Sequence, residues 1–425
     1  MVQLSDHNPA GKGAQKVNCS YLKKLLIPLC VVMIGGGAMG QQGSERTIDE
    51  IKVEAIRRAE NGMYPLIGLD PADVREAFQS IKTADKDEWA AAFMGVADRY
   101  MQEGKSLEAT DPTKANADYI RAWRLYSFGR WPIPASSGKQ RSYEKAIAAF
   151  LAHAHFYDPP LEVVKIPFEG KEITGYLRVP KNAHGPVPLV IAVNGLDSRK
   201  EDLSESFGAI LPFGVAFLAV DGPGTGQAPI KASETADRML SRVLDYAQSR
   251  PEIDKNRIAI HGVSWGAYWA TKLAIVERAR LKGTSAQSPP IDGFFQKDFL
   301  LHSLLGNREY LFDQVPALMA IFDNVTTIDQ VAEIFPKMSL VQQGLLGKPM
   351  APMLVIGGVL DTQVPIADLY LLLSKGDVPK TAWINPQGGH LGRQVKVWPD
   401  PVIFKQVIIP WLLRTLEVQQ GDEKR

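Results

Sequence analysis

The chain has 425 residues, 45% of them apolar and 22% charged, with a formal net charge of +1, a composition typical of a globular protein with a sizeable core in one large or two medium domains. This charge balance gives no reason to expect nucleic acid as a partner. Both cysteines, Cys19 and Cys30, lie in the first 40 residues, so the rest of the chain has no thiol for a disulfide, a cysteine metal site or a cysteine nucleophile.

Residues 1–40 are predicted to be an export signal that is cleaved. Two lysines precede a ten-residue apolar run at 25–34, and small residues follow it. This is the order of a basic region, an apolar region and a cleavage zone, here before Gln41 or after Ala38. The apolar run is shorter than the roughly 20 residues of a comfortable membrane span. We therefore expect a periplasmic or extracellular protein. The alternatives are a buried apolar segment or an uncleaved anchor, which would be the chain's membrane contact.

Residues 45–158 are predicted to form an all-helical N-terminal cap domain of four or five helices. Apolar side chains recur at helical spacing, and no strand-like alternation appears. Asp70 followed by Pro71 is typical of a helix start. Its aromatic residues favour core or inter-domain packing, with pocket lining as the alternative. This cap is also the candidate contact of a homodimer. The predicted helices are 47–60, 70–81, 87–101, 115–128 and 142–157.

Residues 159–418 are predicted to form an α/β domain with a doubly wound, mostly parallel sheet. Two alternating strands form a hairpin around Glu169-Gly170-Lys171. Continuous apolar runs then alternate with helical patterns, as expected of buried parallel strands. Residues 290–340 are aromatic-rich and break this alternation, so we assign them to a helical lid insertion. The predicted strands are 161–168, 172–179, 187–193, 215–220, 257–261, 353–357 and 380–384, and the predicted helices are 203–211, 232–250, 267–280 and 402–416.

The sequence Gly262-Val-Ser264-Trp-Gly266 joins a predicted strand to a predicted helix. The pattern G-x-S-x-G in that setting is the nucleophile turn of α/β-hydrolases. Side chains flanking so sharp a turn would clash, which explains the glycines. Ser264 is therefore the candidate nucleophile, and the N–H of Trp265, at the helix N-terminus, is a candidate oxyanion donor. The alternative is a serine in an ordinary glycine-rich turn.

Two further residues complete a candidate triad in the chain order of this fold, Ser, then Asp, then His. Asp361 follows the strand at 353–357, and His390 follows the last predicted strand. A serine hydroxyl needs a base, which His390 would supply, and the imidazole needs an orienting carboxylate, which Asp361 would supply. The 97 positions between Ser264 and Asp361 leave room for one βα unit and the insertion.

Other polar residues are weaker candidates. Asp221 ends a strand and ranks second as the acid, because it precedes the nucleophile in the chain. His261 is predicted to pack beneath the turn. The loop 222–226 is glycine-rich but lacks the G-K-[ST] ending of a phosphate loop. No metal-ligand spacing is found, so no metal and no cofactor are expected.

The second oxyanion donor should come from the loop after the strand at 187–193. That loop reads Asn194-Gly-Leu-Asp-Ser198. Gly195 lets the backbone approach, the N–H of Leu196 is the candidate donor, and Asn194 could brace the loop. An ordinary glycine turn is the alternative.

Four stretches together carry a family resemblance: Gly175-Tyr-Leu-Arg-Val-Pro, Val193-Asn-Gly-Leu-Asp-Ser-Arg-Lys-Glu, Asp221-Gly-Pro-Gly-Thr-Gly and Gly262-Val-Ser-Trp-Gly. They resemble the α/β-hydrolase branch of the fermentation–respiration switch proteins and 2,6-dihydroxypseudooxynicotine hydrolase. The resemblance covers about residues 115–415. It implies hydrolysis of esters, or of carbon–carbon bonds beside a ketone, under a two-part lid, with Ser264, Asp361 and His390 as the triad.

We therefore predict a serine hydrolase that takes a small-molecule acyl or ketone substrate and cleaves carboxylic esters through an acyl-enzyme. Cleavage of a carbon–carbon bond in a β-diketone-like substrate needs the same triad and remains open. A non-catalytic binding or regulatory protein on the same scaffold is the third hypothesis.

Overall fold

The computed structural model describes residues 46–181, 184–312 and 314–418. The predicted export signal lies outside these ranges. Among the helices within them, none has the length and apolar character that crossing a membrane requires.

The N-terminal region is helical, as predicted, and holds five helices. Their starts follow local capping chemistry. Thr47 and Glu50 form a capping box at the first helix, and Asp70 caps the second ahead of Pro71. Ser136 caps the fifth helix, which therefore begins five residues before the predicted start. The helices are α1 Ile48–Glu60, α2 Pro71–Ser80, α3 Lys86–Leu107, α4 Pro112–Arg130 and α5 Ser137–Ala154.

The α/β region contains one eight-stranded sheet in the order β1-β2-β4-β3-β5-β6-β7-β8. The pairs β1–β2 and β2–β4 are antiparallel, and all the pairs from β4 to β8 are parallel. The predicted fold class, a mostly parallel α/β-hydrolase sheet, is confirmed. The strands are β1 Glu162–Phe168, β2 Lys171–Arg178, β3 Val187–Val193, β4 Ala216–Val220, β5 Ile253–Val263, β6 Gly283–Gln287, β7 Met353–Gly358 and β8 Lys380–Asn385.

Helices cover both faces of this sheet, and two of its inner strands, β3 and β4, are apolar throughout. Every residue of β3 and β4 is buried, as expected of strands packed on both sides. The helices that follow β3, β4 and β5 are α6 Lys200–Phe207, α7 Asp237–Ser249 and α8 Trp265–Val276. The C-terminal helical stretch runs through the segments Asp400–Ile403, Phe404–Ile408 and Ile409–Thr415.

Strand β6 is the one element of the sheet that the sequence analysis did not locate. Its sequence, Gly-Thr-Ser-Ala-Gln, has no large apolar side chain, yet all five residues are buried between β5 and β7. Between β6 and β7, the residues of 290–340 that the structure describes form short helical segments, the longest being Ile328–Met338. That this insertion acts as a lid stays a prediction.

Candidate active site

Ser264 lies at a strained turn between the end of β5 and the start of α8. Its backbone has φ 51° and ψ −116°, outside the regions that a non-glycine residue prefers. The turn is held because Ser264 donates its N–H to the carbonyl of Gln287, and Ala267 and Tyr268 donate to the carbonyl of Ser264. The side chain is left partly exposed at the carboxyl edge of the parallel strands, where ligands bind in open α/β sheets.

Both glycines of the motif are required by close backbone packing. A Cβ on Gly262 would lie 2.1 Å from the carbonyl oxygen of Gly266. A Cβ on Gly266 would lie 2.3 Å from the carbonyl oxygen of Val193 and 2.4 Å from that of Asn194. The turn therefore closes only without a side chain at Gly262, and it packs against the end of β3 only without a side chain at Gly266.

The substitution Gly266→Ala is expected to lower stability by about 1–3 kcal/mol, because the new methyl group overlaps rigid main-chain atoms. If helix α8 shifts to relieve the overlap, kcat should fall on the order of 100-fold through misplacement of Ser264. Urea denaturation and steady-state kinetics measure the two effects. Gly95→Ala is the matched control, since a Cβ there has no neighbour within 4 Å. Equal behaviour of the two variants would contradict the packing argument.

The structure brings Ser264, His390 and Asp361 together. Nε2 of His390 lies 3.0 Å from Oγ of Ser264. Nδ1 of His390 lies 2.9 and 3.1 Å from the two carboxylate oxygens of Asp361. Asp361 follows β7 and also accepts the backbone N–H groups of Gln363 and Val364. This is the geometry in which an imidazole can take the serine proton while a carboxylate fixes its tautomer.

The electrostatics of His390 suit a general base. Burial alone would lower its pKa, but the charge of Asp361 and the hydrogen bond to it outweigh burial, so the pKa is raised above the ordinary value of 6.5. Glu309 also raises this pKa, and Arg393 lowers it. An imidazolium at this position is therefore stabilised.

The loop that carries His390 is held by residues on which the sequence analysis made no prediction. Leu391, with φ 64°, accepts a hydrogen bond from Nε2 of Gln287 at 2.9 Å and donates its N–H to Oγ of Ser288 at 3.0 Å. Asn385, at the end of β8, donates to the carbonyl of Gly392. The carboxyl end of β6 thus fixes both backbone groups of the residue after His390. No sequence pattern marks these contacts, because β6 lacks the apolar run that predicts a buried strand.

Glu309, in the 290–340 insertion, makes a second contact with this loop. One carboxylate oxygen accepts the backbone N–H of His390 at 2.7 Å. The other accepts the hydroxyl of Thr362 at 2.6 Å and its N–H at 3.2 Å. From α1, Arg58 donates to the carbonyl of Glu309 at 2.8 Å. The insertion therefore links the helical N-terminal region to the loops of both His390 and Asp361.

Replacing Glu309 with glutamine is expected to lower kcat about tenfold or more. The amide group replaces one acceptor oxygen with an NH2 donor, which would face N–H or O–H groups that are themselves donors. A hydrogen bond to a charged group is worth about 1.5–3 kcal/mol. Steady-state kinetics on the folded variant measure this. Glu333→Gln, on the exposed face of Ile328–Met338, is the control. An unchanged kcat in Glu309→Gln would show that this contact does not govern the position of His390.

The predicted oxyanion loop lies against the nucleophile. A Cβ on Gly195 would be 3.5 Å from Cβ of Ser264 and 3.3 Å from the carbonyl oxygen of Val263. Leu196 is buried at this point. Trp265 is the first residue of α8, so its N–H has no acceptor within the helix. Both predicted donors thus belong to segments beside Ser264, and their role remains a prediction.

Asn194 braces this loop, as the sequence suggested. Its amide nitrogen donates to the carbonyls of Gly195 and Ser198 at 2.9 and 2.7 Å. Its amide oxygen accepts the N–H of Gly222 at 2.7 Å. The glycine-rich loop after β4 therefore supports the oxyanion loop.

The weaker candidates occupy other positions. Asp221 is buried against Lys200, with Oδ2 3.1 Å from Nζ, and so is engaged away from His390. His261 packs on the rings of Phe207 and Phe404, and burial lowers its pKa to about 3. Among the residues that the structure describes, no group of three or more His, Cys, Asp or Glu side chains is arranged to hold a metal ion.

Residues 73–384 match the family model described as "Esterase FrsA-like". Esterase FrsA of Serratia proteamaculans (strain 568) is 25% identical over 313 residues, which are 66% of this chain and 71% of that protein. The α/β-hydrolase UcsC of Acremonium sp is 30% identical over 260 residues, 54% of this chain. The chain spans about half the length of this fungal relative, 52%.

Solved structures show the same fold. A 2,6-dihydroxy-pseudo-oxynicotine hydrolase superposes with a TM-score of 0.69 at 20% identity, over 85% of this chain and 95% of that one. The protein AbyA5 superposes with a TM-score of 0.65 at 17% identity, over 88% of this chain and 96% of its own. Both likenesses extend beyond the sheet, since each covers more of the chain than the α/β region alone.

Proposed function

Because this chain belongs to the FrsA-like esterase family and is an α/β-hydrolase, we propose that it is a serine hydrolase that cleaves carboxylic esters through an acyl-enzyme. The observation that carries the proposal is the continuous hydrogen-bonded path from Ser264 through His390 to Asp361, with heavy-atom distances of 3.0 and 2.9 Å. A hydroxyl, an imidazole and a carboxylate in this order form the arrangement that activates serine.

In the acylation half, Oγ of Ser264 attacks the ester carbonyl while Nε2 of His390 takes the hydroxyl proton. The N–H groups of Leu196 and Trp265 receive the oxyanion of the tetrahedral intermediate. His390 then gives its proton to the departing alcohol. In the second half, water loses a proton to His390 and attacks the acyl carbon. His390 then returns this proton to Oγ of Ser264 as the carboxylic acid leaves. Asp361 keeps its negative charge throughout and stabilises the imidazolium.

The experiment is fluorophosphonate labelling of the folded protein, with the labelled peptide located by mass spectrometry, together with a panel of p-nitrophenyl esters and an aryl β-diketone. We expect stoichiometric labelling of Ser264 and release of p-nitrophenol. Labelling with turnover of the diketone alone would assign carbon–carbon bond cleavage to the same triad. A folded protein that is neither labelled nor active would favour a binding or regulatory role.

We further propose that the enzyme is exported, because residues 1–40 have the order of a signal peptide. N-terminal sequencing of the mature protein from the periplasm or medium tests this. A mature chain that begins at or near Gln41 supports export, and full-length protein confined to the cytoplasm contradicts it.

A further inference from the structure

Two buried arginines contact the oxyanion loop from the side of the helical N-terminal region. Arg130 is the last residue of α4, and Arg199 directly precedes α6; they are 3% and 2% exposed. Nη1 of Arg130 donates to the carbonyl of Asp197 at 2.5 Å. Nη1 of Arg199 donates to the carbonyls of Ser198 and Leu196 at 2.5 and 3.2 Å. Both guanidinium groups thus reach the segment predicted to hold the oxyanion.

Each carbonyl of residues 195–198 has a side-chain donor. Asn194 serves the carbonyl of Gly195, Arg199 that of Leu196 and Arg130 that of Asp197. The carbonyl of residue 198 accepts from both Asn194 and Arg199. A loop whose peptide groups are all fixed in this way cannot rotate an N–H away from the nucleophile without breaking buried hydrogen bonds.

The charges of the two arginines are poorly compensated. Within the described ranges, no carboxylate forms a hydrogen bond with either guanidinium, and the nearest ion pair joins Arg130 to Asp202 at 3.9 Å. The two side chains also share the carbonyl of Pro132 as an acceptor, at 3.1 and 3.5 Å. Burial first, and then the neighbouring Arg199, lower the pKa of Arg130. Two buried cations side by side are costly, and neutral amides could bind the same carbonyls.

We propose that Arg130 and Arg199 are positioning residues of the oxyanion hole, which hold the loop 195–198 in place and supply positive potential where negative charge develops on the substrate. The inference rests on the proposed function, because it takes the N–H of Leu196 as an oxyanion donor. A fixed positive charge in a buried site stabilises the charged transition state more than the neutral ester. The arginines should therefore affect kcat rather than KM.

The test compares Arg199→Gln and Arg130→Gln with a matched control, Arg178→Gln. Arg178 is also buried and also donates to a backbone carbonyl, that of Pro159 at 3.0 Å, but on β2. For the two loop variants we expect kcat for a p-nitrophenyl ester to fall on the order of 10²- to 10³-fold, as when an oxyanion donor is removed. KM should change little, and Arg199→Lys, which keeps the charge but not the planar fork, should restore part of kcat. The control should keep the wild-type kcat.

Thermal unfolding and near-UV circular dichroism are measured on every variant. If a glutamine variant does not fold, Arg199→Lys and Arg130→Lys carry the test, with a smaller loss of kcat at unchanged KM as the expected result. Wild-type kcat in folded loop variants, or a loss equal to that of Arg178→Gln, would overturn the proposal and leave the arginines as structural ties. Failure of the proposed function is distinct, because the wild-type protein itself would then show no fluorophosphonate labelling of Ser264.

Discussion

Ser264→Ala is expected to lower kcat/KM for p-nitrophenyl esters by about 10⁴- to 10⁶-fold, the range seen when a member of a Ser-His-Asp unit is removed. The physical reason is that His390, 3.0 Å from Oγ, loses the group that it activates, so no covalent intermediate can form. KM should change far less than kcat, because the alanine leaves the rest of the site in place. Steady-state kinetics and fluorophosphonate labelling measure both consequences.

The matched control for this variant is Ser249→Ala, at the exposed C-terminal end of α7, which should retain wild-type turnover and labelling. The alanine should also relieve little of the backbone strain, because the φ of 51° at position 264 is held by backbone hydrogen bonds of the turn and by its packing against β3, neither of which involves the serine hydroxyl. Full labelling of the Ser264→Ala protein would place the nucleophile elsewhere and contradict the assignment.

Most strands of the sheet could be predicted because the pattern of apolar residues in each strand indicates how it is buried. The run at 187–193 is apolar without interruption, and the structure buries all of it in β3. The motif around Ser264 fixes a strand, a turn and a helix in five residues, since few other structures need glycine on both sides of a serine. Asp361 and His390 could be named because each follows a strand in the chain order of the fold.

The features that could not be predicted from the sequence depend on contacts between distant segments. Strand β6 lacks large apolar side chains, and its small residues Thr284, Ser285 and Ala286 are buried because β6 lies between β5 and β7 and α8 packs against it. A strand whose burial comes from its neighbours leaves no periodic signal of its own. The hydrogen bonds that hold the His390 loop could not be predicted for the same reason, since Gln287 and Ser288 lie at the end of β6.

Glu309, Arg130 and Arg199 were missed for a related reason. A carboxylate in an irregular insertion and an arginine at a helix end are usually solvent-exposed. Arg199 lies within a stretch that carries the family resemblance, but the resemblance assigns it no role, and nothing nearby in the sequence distinguishes Glu309 or Arg130. Glu309 meets His390 across 81 positions, and Arg130 meets Asp197 across 67. Such pairs become visible only when the helical region, the insertion and the sheet are seen together.

Asp361→Asn is expected to lower kcat about 10⁴-fold, because an amide cannot hold the imidazole in the required tautomer or stabilise its charge. It should also move the pH profile. Turnover needs neutral His390, so activity falls as pH drops through the His390 pKa, which the charge of Asp361 raises above 6.5. Without that charge, burial dominates and the acid limb should shift to lower pH.

The control is Asp118→Asn, which replaces a buried carboxylate of the helical region and should leave the acid limb in place. An acid limb that stays fixed in Asp361→Asn would mean that another group sets the pH dependence. It would contradict the role of Asp361 as the carboxylate that stabilises the charge of His390.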